Sequence, residues 1–146
     1  MGEVKAGRTE MSHAPAVTIH SLEQAQLAAR IAAELGRPVT LLSATGAAAY
    51  VGPGWFAGVV AAARTDSPEA GIAAYLDCGD RSGDALAAFR ADTPGVVFTG
   101  RADVADKLAA LAEAHGVAFL RARPDALDLL DRDDPGSAVR AHLQAG

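Results

Sequence analysis

Short apolar runs alternate with longer segments in which apolar residues recur at helical spacing. Five of the runs predict β-strands, at residues 16–20, 38–44, 71–77, 95–100 and 117–122. The segments between them predict helices, at residues 21–36, 55–64, 82–91 and 103–116. Strands that are apolar throughout and joined by helices are typical of a parallel sheet. The pattern therefore predicts an α/β fold with five parallel strands, arranged as an open sheet or a half-barrel.

The pattern also divides the chain into three parts. Residues 1–15 are polar, lack the apolar segment of a signal peptide and predict a disordered arm. Residues 16–123 hold the five strand–helix units. Residues 124–146 contain two short helical patterns separated by Asp-Pro-Gly, and predict a C-terminal helical tail.

Composition narrows the class of protein. The chain has 35 alanines and 7 aromatic residues, so its core must be built mainly from Ala, Val and Leu. A net charge of −5 argues against a nucleic-acid-binding protein, which would carry a basic face. No apolar run approaches the ~18 residues of a membrane span. A single cysteine fits a reducing compartment, so we expect a cytoplasmic protein that binds neither nucleic acid nor membrane.

Polar residues gather where the predicted strands end. In parallel α/β sheets and barrels, ligands bind at the edge formed by the carboxyl ends of the strands. The residues at this edge are His20, Ser43, Thr45, Gly46, Asp77, Cys78, Asp80, Thr99, Gly100, Arg101, Arg121 and Arg123. Their placement suits a binding site.

Three segments carry a resemblance to a known family. They are "SLEQAQLAARIAAELGRPVTLLSATGAAAYVGPGWFAGVVAAA", "LDCGDRSGDALAAFRADTPGVVFTG" and "DVADKLAALAEAHGVAFL". Over residues 17–120 they resemble, in order, the first half of class II fructose-bisphosphate/tagatose-bisphosphate aldolases. The third strand of that family ends Leu-Asp-His-Gly, and its distance to the glycine closing the fourth strand matches Gly79 to Gly100. The resemblance implies a partial TIM-barrel ancestry.

The resemblance also implies roles for two residues. In the family, a zinc ion polarises the carbonyl of a ketose phosphate, the strand-three aspartate moves a proton, and the next histidine binds the metal. Asp77 would then be the catalytic acid–base residue, and Cys78 would replace the histidine ligand. This sequence departs from the family at Thr99-Gly100, where many members have Asp-Gly or Asp-Ala, and at residues 120–123, where they have glutamates. A catalytic zinc needs about three protein ligands, and this sequence offers one plausible ligand, Cys78. We therefore expect a degenerate metal site and no cofactor.

The arginines suggest what replaces the metal. Arg101, Arg121 and Arg123 can balance Asp77 and Asp80, because arginine forms bidentate pairs with carboxylates and stays charged. The result would be a salt-bridge cluster, or an anion pocket if the arginines outnumber their partners.

Simpler structural roles remain open for the same residues. Asp77 and Asp80 suit a turn and an N-cap for the helix that begins near Ser82. Cys78 suits a small buried residue, and His20 suits a hydrogen bond at a strand end. The loop at residues 50–56, "YVGPGWF", either anchors the second helix or forms a partner-binding patch.

The combined prediction is a non-catalytic, aldolase-like α/β domain that binds a small anionic metabolite or a protein partner at the carboxyl edge of its sheet. The predicted ligand-binding residues are Ser43, Thr45, Gly46, Asp80, Thr99, Gly100, Arg101, Arg121 and Arg123. One alternative is a lyase or other enzyme acting on a phosphorylated or carbonyl substrate, with Asp77 and either Cys78 or His20 as acid–base residues. Another is a homo-oligomeric assembly module. Open sheet edges expose backbone hydrogen-bonding groups, so we expect a homodimer.

Overall fold

A computed structural model of the chain describes residues 14–146. Residues 1–13, most of the predicted disordered arm, lie outside the described part. Ala14 and Pro15 lie beside the second strand, where their carbonyl oxygens accept hydrogen bonds from the hydroxyl and the amide of Thr40, both at 2.9 Å. The sheet therefore begins to hold the chain two residues before the first strand.

Six parallel strands and five helices make up residues 14–146. The strands are β1 (Ala16–Thr18), β2 (Val39–Leu42), β3 (Ile72–Asp77), β4 (Gly95–Val97), β5 (Ala118–Leu120) and β6 (Ala126–Asp128). The helices are α1 (Leu22–Leu35), α2 (Pro53–Asp66), α3 (Ser82–Arg90), α4 (Ala102–His115) and α5 (Pro135–Ala145), with a short 3-10 helix at Ala47–Ala49. The strand order is β5-β4-β3-β2-β1-β6, with every pair parallel. This confirms the predicted α/β class with an open parallel sheet.

The sixth strand, β6, corrects the prediction for the start of the tail. Residues 126–128 fall in a segment predicted to be helical, but they pair with β1 from Ala16–Ala126 to Thr18–Asp128. Leu127 packs against the main core, whereas Ala126 packs on the opposite face of the sheet. The edge of β1 offers backbone hydrogen bonds along a buried strand, and these outweigh a weak local preference for helix. The second helical pattern of the tail is present as α5.

The helices form one layer on one face of the sheet. They contact one another in the order α5, α1, α2, α3, α4. Alternate strand residues such as Val17, Leu41 and Leu76 pack against this layer in one main core. A parallel sheet with all of its helices on one face is the arrangement found in a (β/α) barrel. No helix within residues 14–146 has the length and apolar character needed to cross a membrane.

The chain itself crosses the other face of the sheet. Strands β5 and β6 lie at opposite edges and are joined only by residues 121–125. A connection of this length spans at most about 21 Å, whereas six flat strands are roughly 24 Å wide. The sheet must therefore curl, and the connection passes over its concave face. Ala16, Leu42 and Val97 form a small second cluster there.

Candidate functional site

Asp77 lies at the centre of the concave face, at the end of β3. Its side chain is only 2% exposed. Oδ1 accepts hydrogen bonds from the amides of Gly79 at 2.8 Å and Gly46 at 3.1 Å, and Oδ2 accepts one from Nη1 of Arg123 at 2.9 Å. The amide of Asp77 donates to Oγ of Ser43 at 2.8 Å. These contacts neutralise the carboxylate and fix its position.

The guanidinium of Arg123 links the connection between β5 and β6 to two strands of the sheet. It lies in the middle of the connection between β5 and β6, and its side chain is 23% exposed. Beside the bond to Asp77 on β3, Nη2 donates to Oγ1 of Thr18 on β1 at 3.0 Å. The predicted pairing of Arg123 with Asp77 is confirmed. It holds the connection against the concave face.

The other two arginines do not join this cluster. Arg101 pairs with Asp103 at 2.8 Å and Arg121 pairs with Asp106 at 2.7 Å. Both carboxylates belong to α4, and both pairs are exposed. Within residues 14–146, Asp80 forms no ion pair. The predicted pairing of Arg101 and Arg121 with Asp77 and Asp80 is therefore wrong, because each arginine has an acidic residue of α4 within reach.

The N-cap interpretation of the two aspartates is also wrong. The N-cap residue of α3 is Arg81, and no side chain caps this helix end. Asp77 instead accepts from the amide of Gly79, two residues along its own turn. Gly79 adopts a φ of 56°, a backbone conformation that glycine tolerates without strain.

The remaining predicted binding residues lie at the rim. Thr45 and Thr99 are exposed, and the amide of Thr99 donates to the carbonyl of Gly79 at 2.8 Å. Gly100 lies against the ring of Phe98, where a Cβ atom would collide. Ligand binding by these residues stays a prediction.

Cys78 faces the core instead of the rim. Its thiol is buried among residues of the main core, and Sγ donates weakly to the carbonyl of Leu76 at 3.8 Å. Burial, with smaller contributions from Asp84 and Asp77, raises the pKa of the thiol to about 12. Zinc binds the thiolate form. Within the described residues, no group of three or more His, Cys, Asp or Glu side chains could hold a metal ion. The residues here therefore do not fit the zinc site that the resemblance implies.

A cleft of about 70 Å³ opens at the carboxyl ends of β1 and β2. Its walls are formed by Ile19, His20, Ser43, Ala44, Ala47, Tyr50, Val51 and Trp55. Tyr50 and Trp55 are 70% and 40% exposed. Tyr50 belongs to the segment singled out in the sequence at residues 50–56, and Trp55 of the same segment lies in the first turn of α2. The sequence did not bring this segment together with His20, although consecutive strands such as β1 and β2 are usually neighbours in a sheet.

His20 connects this cleft to β6. Its Nε2 lies 2.7 Å from Oδ1 of Asp128, and because a carboxylate can only accept, Nε2 donates. The amide of His20 donates to Oε1 of Gln24 at 2.7 Å, and Nε2 of Gln24 donates to the carbonyl of Leu129 at 3.2 Å. The expected hydrogen bond of His20 at a strand end is confirmed. Its partner Asp128 was missed, because it belongs to the strand predicted as helix.

Asp128 begins an acidic turn. Asp128, Leu130, Asp131, Arg132, Asp133 and Asp134 line an open depression of about 500 Å³. Partial burial acts to raise the pKa of Asp128, but hydrogen bonds from the Leu130 amide and His20 outweigh burial and lower it. The hydroxyl and amide of Ser137 lower the pKa of Asp134. The turn is therefore negatively charged at neutral pH.

No known protein family and no curated protein sequence matches this chain. Among solved structures, the fold is similar to a crystal structure from Coccidioides immitis described as "a putative fructose-1,6-biphosphate aldolase". The TM-score is 0.62 at 18% sequence identity, over 77% of this chain and 42% of the other chain. This chain thus spans less than half the length of that protein. The similarity shows an aldolase-like α/β fold and agrees with the resemblance seen in the sequence.

Proposed function

We propose that this chain is a non-catalytic, aldolase-like domain that binds a protein partner at the carboxyl edge of its sheet. The state of Asp77 carries the proposal. A catalytic acid–base residue must reach a proton of the substrate through a free oxygen. Asp77 lies at the position to which the resemblance assigns proton transfer. Its two carboxylate oxygens, however, already accept hydrogen bonds from Arg123 and two backbone amides, and its side chain is almost inaccessible to water.

The surroundings of Cys78 support the same proposal. In the family that the sequence resembles, zinc supplies the Lewis acid, and Cys78 would have to bind it. The thiol points into the core and its pKa is raised to about 12. The donor set therefore gives no support to zinc chemistry at this edge.

The contacts favour a protein over an anionic metabolite as the bound partner. Arginine binds an anion through charge-assisted hydrogen bonds, and the guanidinium groups of Arg101, Arg121 and Arg123 each already pair with one carboxylate. The cleft of about 70 Å³ is far smaller than the roughly 300–1,000 Å³ of small-molecule sites. Its exposed walls, Tyr50 and Trp55, are of the residue types enriched in protein interfaces.

Calorimetric titration with zinc, together with an aldol-cleavage assay on ketose bisphosphates, tests the non-catalytic part. We expect no stoichiometric zinc binding and no cleavage with or without added zinc. Submicromolar, stoichiometric binding that is lost in Cys78→Ser would overturn the proposal, as would cleavage that is lost in Asp77→Asn.

Thermal-shift measurements with phosphate and sugar phosphates test the choice of partner. We expect no stabilisation, because the arginines of the edge are already paired. Stabilisation by a sugar phosphate that disappears in Arg101→Leu or Arg121→Leu would instead favour the anionic metabolite.

A further inference from the structure

We propose that the cleft at Tyr50 and Trp55 binds a lysine or arginine side chain from a basic segment of a protein partner. The acidic turn at residues 128–134 would bind the neighbouring basic residues of the same segment. This inference rests on the proposed binding function and names the chemistry of its partner.

The shape and walls of the cleft suit the end of one cationic side chain. A volume of about 70 Å³ accommodates a few heavy atoms. Tyr50 and Trp55 expose aromatic surface at its mouth, and the faces of such rings attract ammonium and guanidinium groups. Ala47 and Val51 supply apolar contacts for the methylene stem of lysine or arginine.

The negative charge next to the cleft favours a positively charged partner. The acidic turn contains four aspartates and one arginine, Arg132, and these side chains line its open depression. Within residues 14–146, neither Asp131 nor Asp133 takes part in an ion pair. A basic segment would therefore find carboxylates with which to pair, whereas an acidic segment would be repelled.

The cleft and the turn form one continuous surface. His20 lines the cleft and contacts Asp128, which lines the acidic turn, at 2.7 Å. Their strands, β1 and β6, are neighbours, so roughly 5 Å separates the two backbones. Leu22 and Leu130, at the beginning of α1 and just after β6, are also exposed large apolar side chains. An extended segment of a few residues could contact both regions at once.

Trp55 provides a direct measurement, because it is the only tryptophan of the chain. The probe is a synthetic octapeptide of alternating lysine and glycine, with a glutamate–glycine octapeptide of the same length as control. We expect the basic peptide to change the Trp55 fluorescence with a saturable dependence on concentration, and the acidic peptide to leave it unchanged. Added sodium chloride should weaken the binding.

Variants locate the binding, with the affinity of a labelled peptide followed by fluorescence polarisation. Loss of a cation–π contact in Tyr50→Ala or Trp55→Ala should weaken binding about five- to tenfold. The double change Asp131→Asn/Asp133→Asn should weaken it about two- to fivefold. The control Glu69→Gln/Glu113→Gln removes the same charge from exposed positions elsewhere and should leave the affinity within twofold. These side chains are exposed, and a thermal melt verifies that each variant folds.

The outcomes separate this inference from the function on which it rests. Failure of the basic peptide to bind overturns the inference, and so does equal weakening by the control variant, which would mean non-specific attraction. Binding of a neutral apolar peptide that depends on Trp55 would overturn the basic partner but leave the binding function in place. Zinc-dependent cleavage of a ketose bisphosphate would overturn the binding function itself.

Discussion

Arg123 neutralises a carboxylate that water hardly reaches. In Arg123→Leu, Asp77 would stay buried with only backbone amides to offset its charge. Removing one partner of a buried ion pair is strongly destabilising, because the other charge stays in a medium that solvates it poorly. We expect this variant to lower the free energy of unfolding by about 3 kcal/mol, as measured by urea denaturation.

Arg121→Leu is the matched control for this change. Arg121 belongs to the same connection, but its pair with Asp106 is exposed, so its loss should cost less than about 1 kcal/mol. Adding Asp77→Asn to Arg123→Leu removes the stranded charge and should recover part of the loss. Equal costs for the two arginine variants would show that the buried pair contributes little.

The pair of Asp128 and His20 makes stability depend on pH. Burial acts to raise the pKa of Asp128, but hydrogen bonds from the Leu130 amide and His20 outweigh it. In the folded state the pKa therefore lies below its ordinary value of 3.8. A lowered pKa stabilises the folded chain above the ordinary pKa, and this contribution is lost as the pH falls through the folded value. Thermal melts should therefore show Asp128→Asn to be less stable than the parent chain at pH 6, with the difference shrinking below pH 3.8. A difference that stays constant over this range would contradict the role of the charge.

Side-chain positions were more predictable from the sequence than side-chain partners. Asp77 ends one predicted parallel strand and Ser43 and Gly46 lie at or just after the end of another, so the sequence places them at one edge of the sheet. In the structure Asp77 contacts both of the others there. The partner of an arginine depends on differences of a few ångströms among several acids. Arg101 pairs with Asp103, only two residues away, and no pattern of apolar residues carries that information.

Within the elements, Gly95 of β4 occupies a position that tolerates no side chain. A Cβ there would lie 2.6 Å from the ring of Tyr75 and would collide with the carbonyl oxygen of Ala74. Because one of these atoms belongs to the backbone of β3, a change of side-chain rotamer cannot relieve the clash. We expect Gly95→Ala to destabilise the fold by about 1–3 kcal/mol in urea denaturation.

Gly58 in α2 is the control for Gly95. It is exposed, and a Cβ there would meet nothing within 4 Å. Gly58→Ala should stabilise the chain by about 0.5–1 kcal/mol, because glycine in a helix interior loses more backbone entropy than alanine. If both variants change stability in the same direction, the close approach of β3 and β4 does not explain why position 95 would tolerate no side chain.

Elements with strong local signals were predicted well. The helix predicted at residues 21–36 is α1, where Ser21 accepts a hydrogen bond from the amide of Gln24 and Gly36 ends the helix with a φ of 63°. The helix predicted at residues 55–64 is α2, which begins two residues earlier, at Pro53. The strand β6 could not be predicted in this way. It has three residues, and what makes it a strand is the edge of β1, which lies more than a hundred residues earlier in the chain. Missing β6 also meant missing Asp128 and the acidic turn as neighbours of His20.

At the scale of the whole molecule, the tail is part of the same sheet and core. β6 pairs with β1, α5 packs against α1, and Leu129, Val139 and Leu143 are buried in the main core. A chain that ends at Arg123 would expose both the edge of β1 and the apolar face of α1. We expect this truncated chain to show no cooperative thermal transition by circular dichroism. A sharp transition close to that of the full chain would show that residues 124–146 are dispensable.

The homodimer stays a prediction, and the lengths of the two edge strands do not favour a dimer formed by strand pairing. Both edge strands, β5 and β6, have only three residues. Very short edge strands are one way in which proteins avoid pairing with other chains. Light scattering at several micromolar concentrations measures the molar mass directly. A mass of twice 14.8 kDa would confirm the dimer, and a mass of 14.8 kDa would contradict it.

The pairing of β1 with β6 has a consequence for how the protein is made. During synthesis β1 leaves the ribosome before the other five strands, and the strand that covers its edge follows more than a hundred residues later. Joining strands so far apart in the chain costs loop entropy before any contact repays it, which makes such a step slow. Until then β1 is an unprotected sheet edge in an incomplete chain. We therefore expect chaperones to bind the nascent chain during this interval, and the native fold to form only after β6 has left the ribosome tunnel.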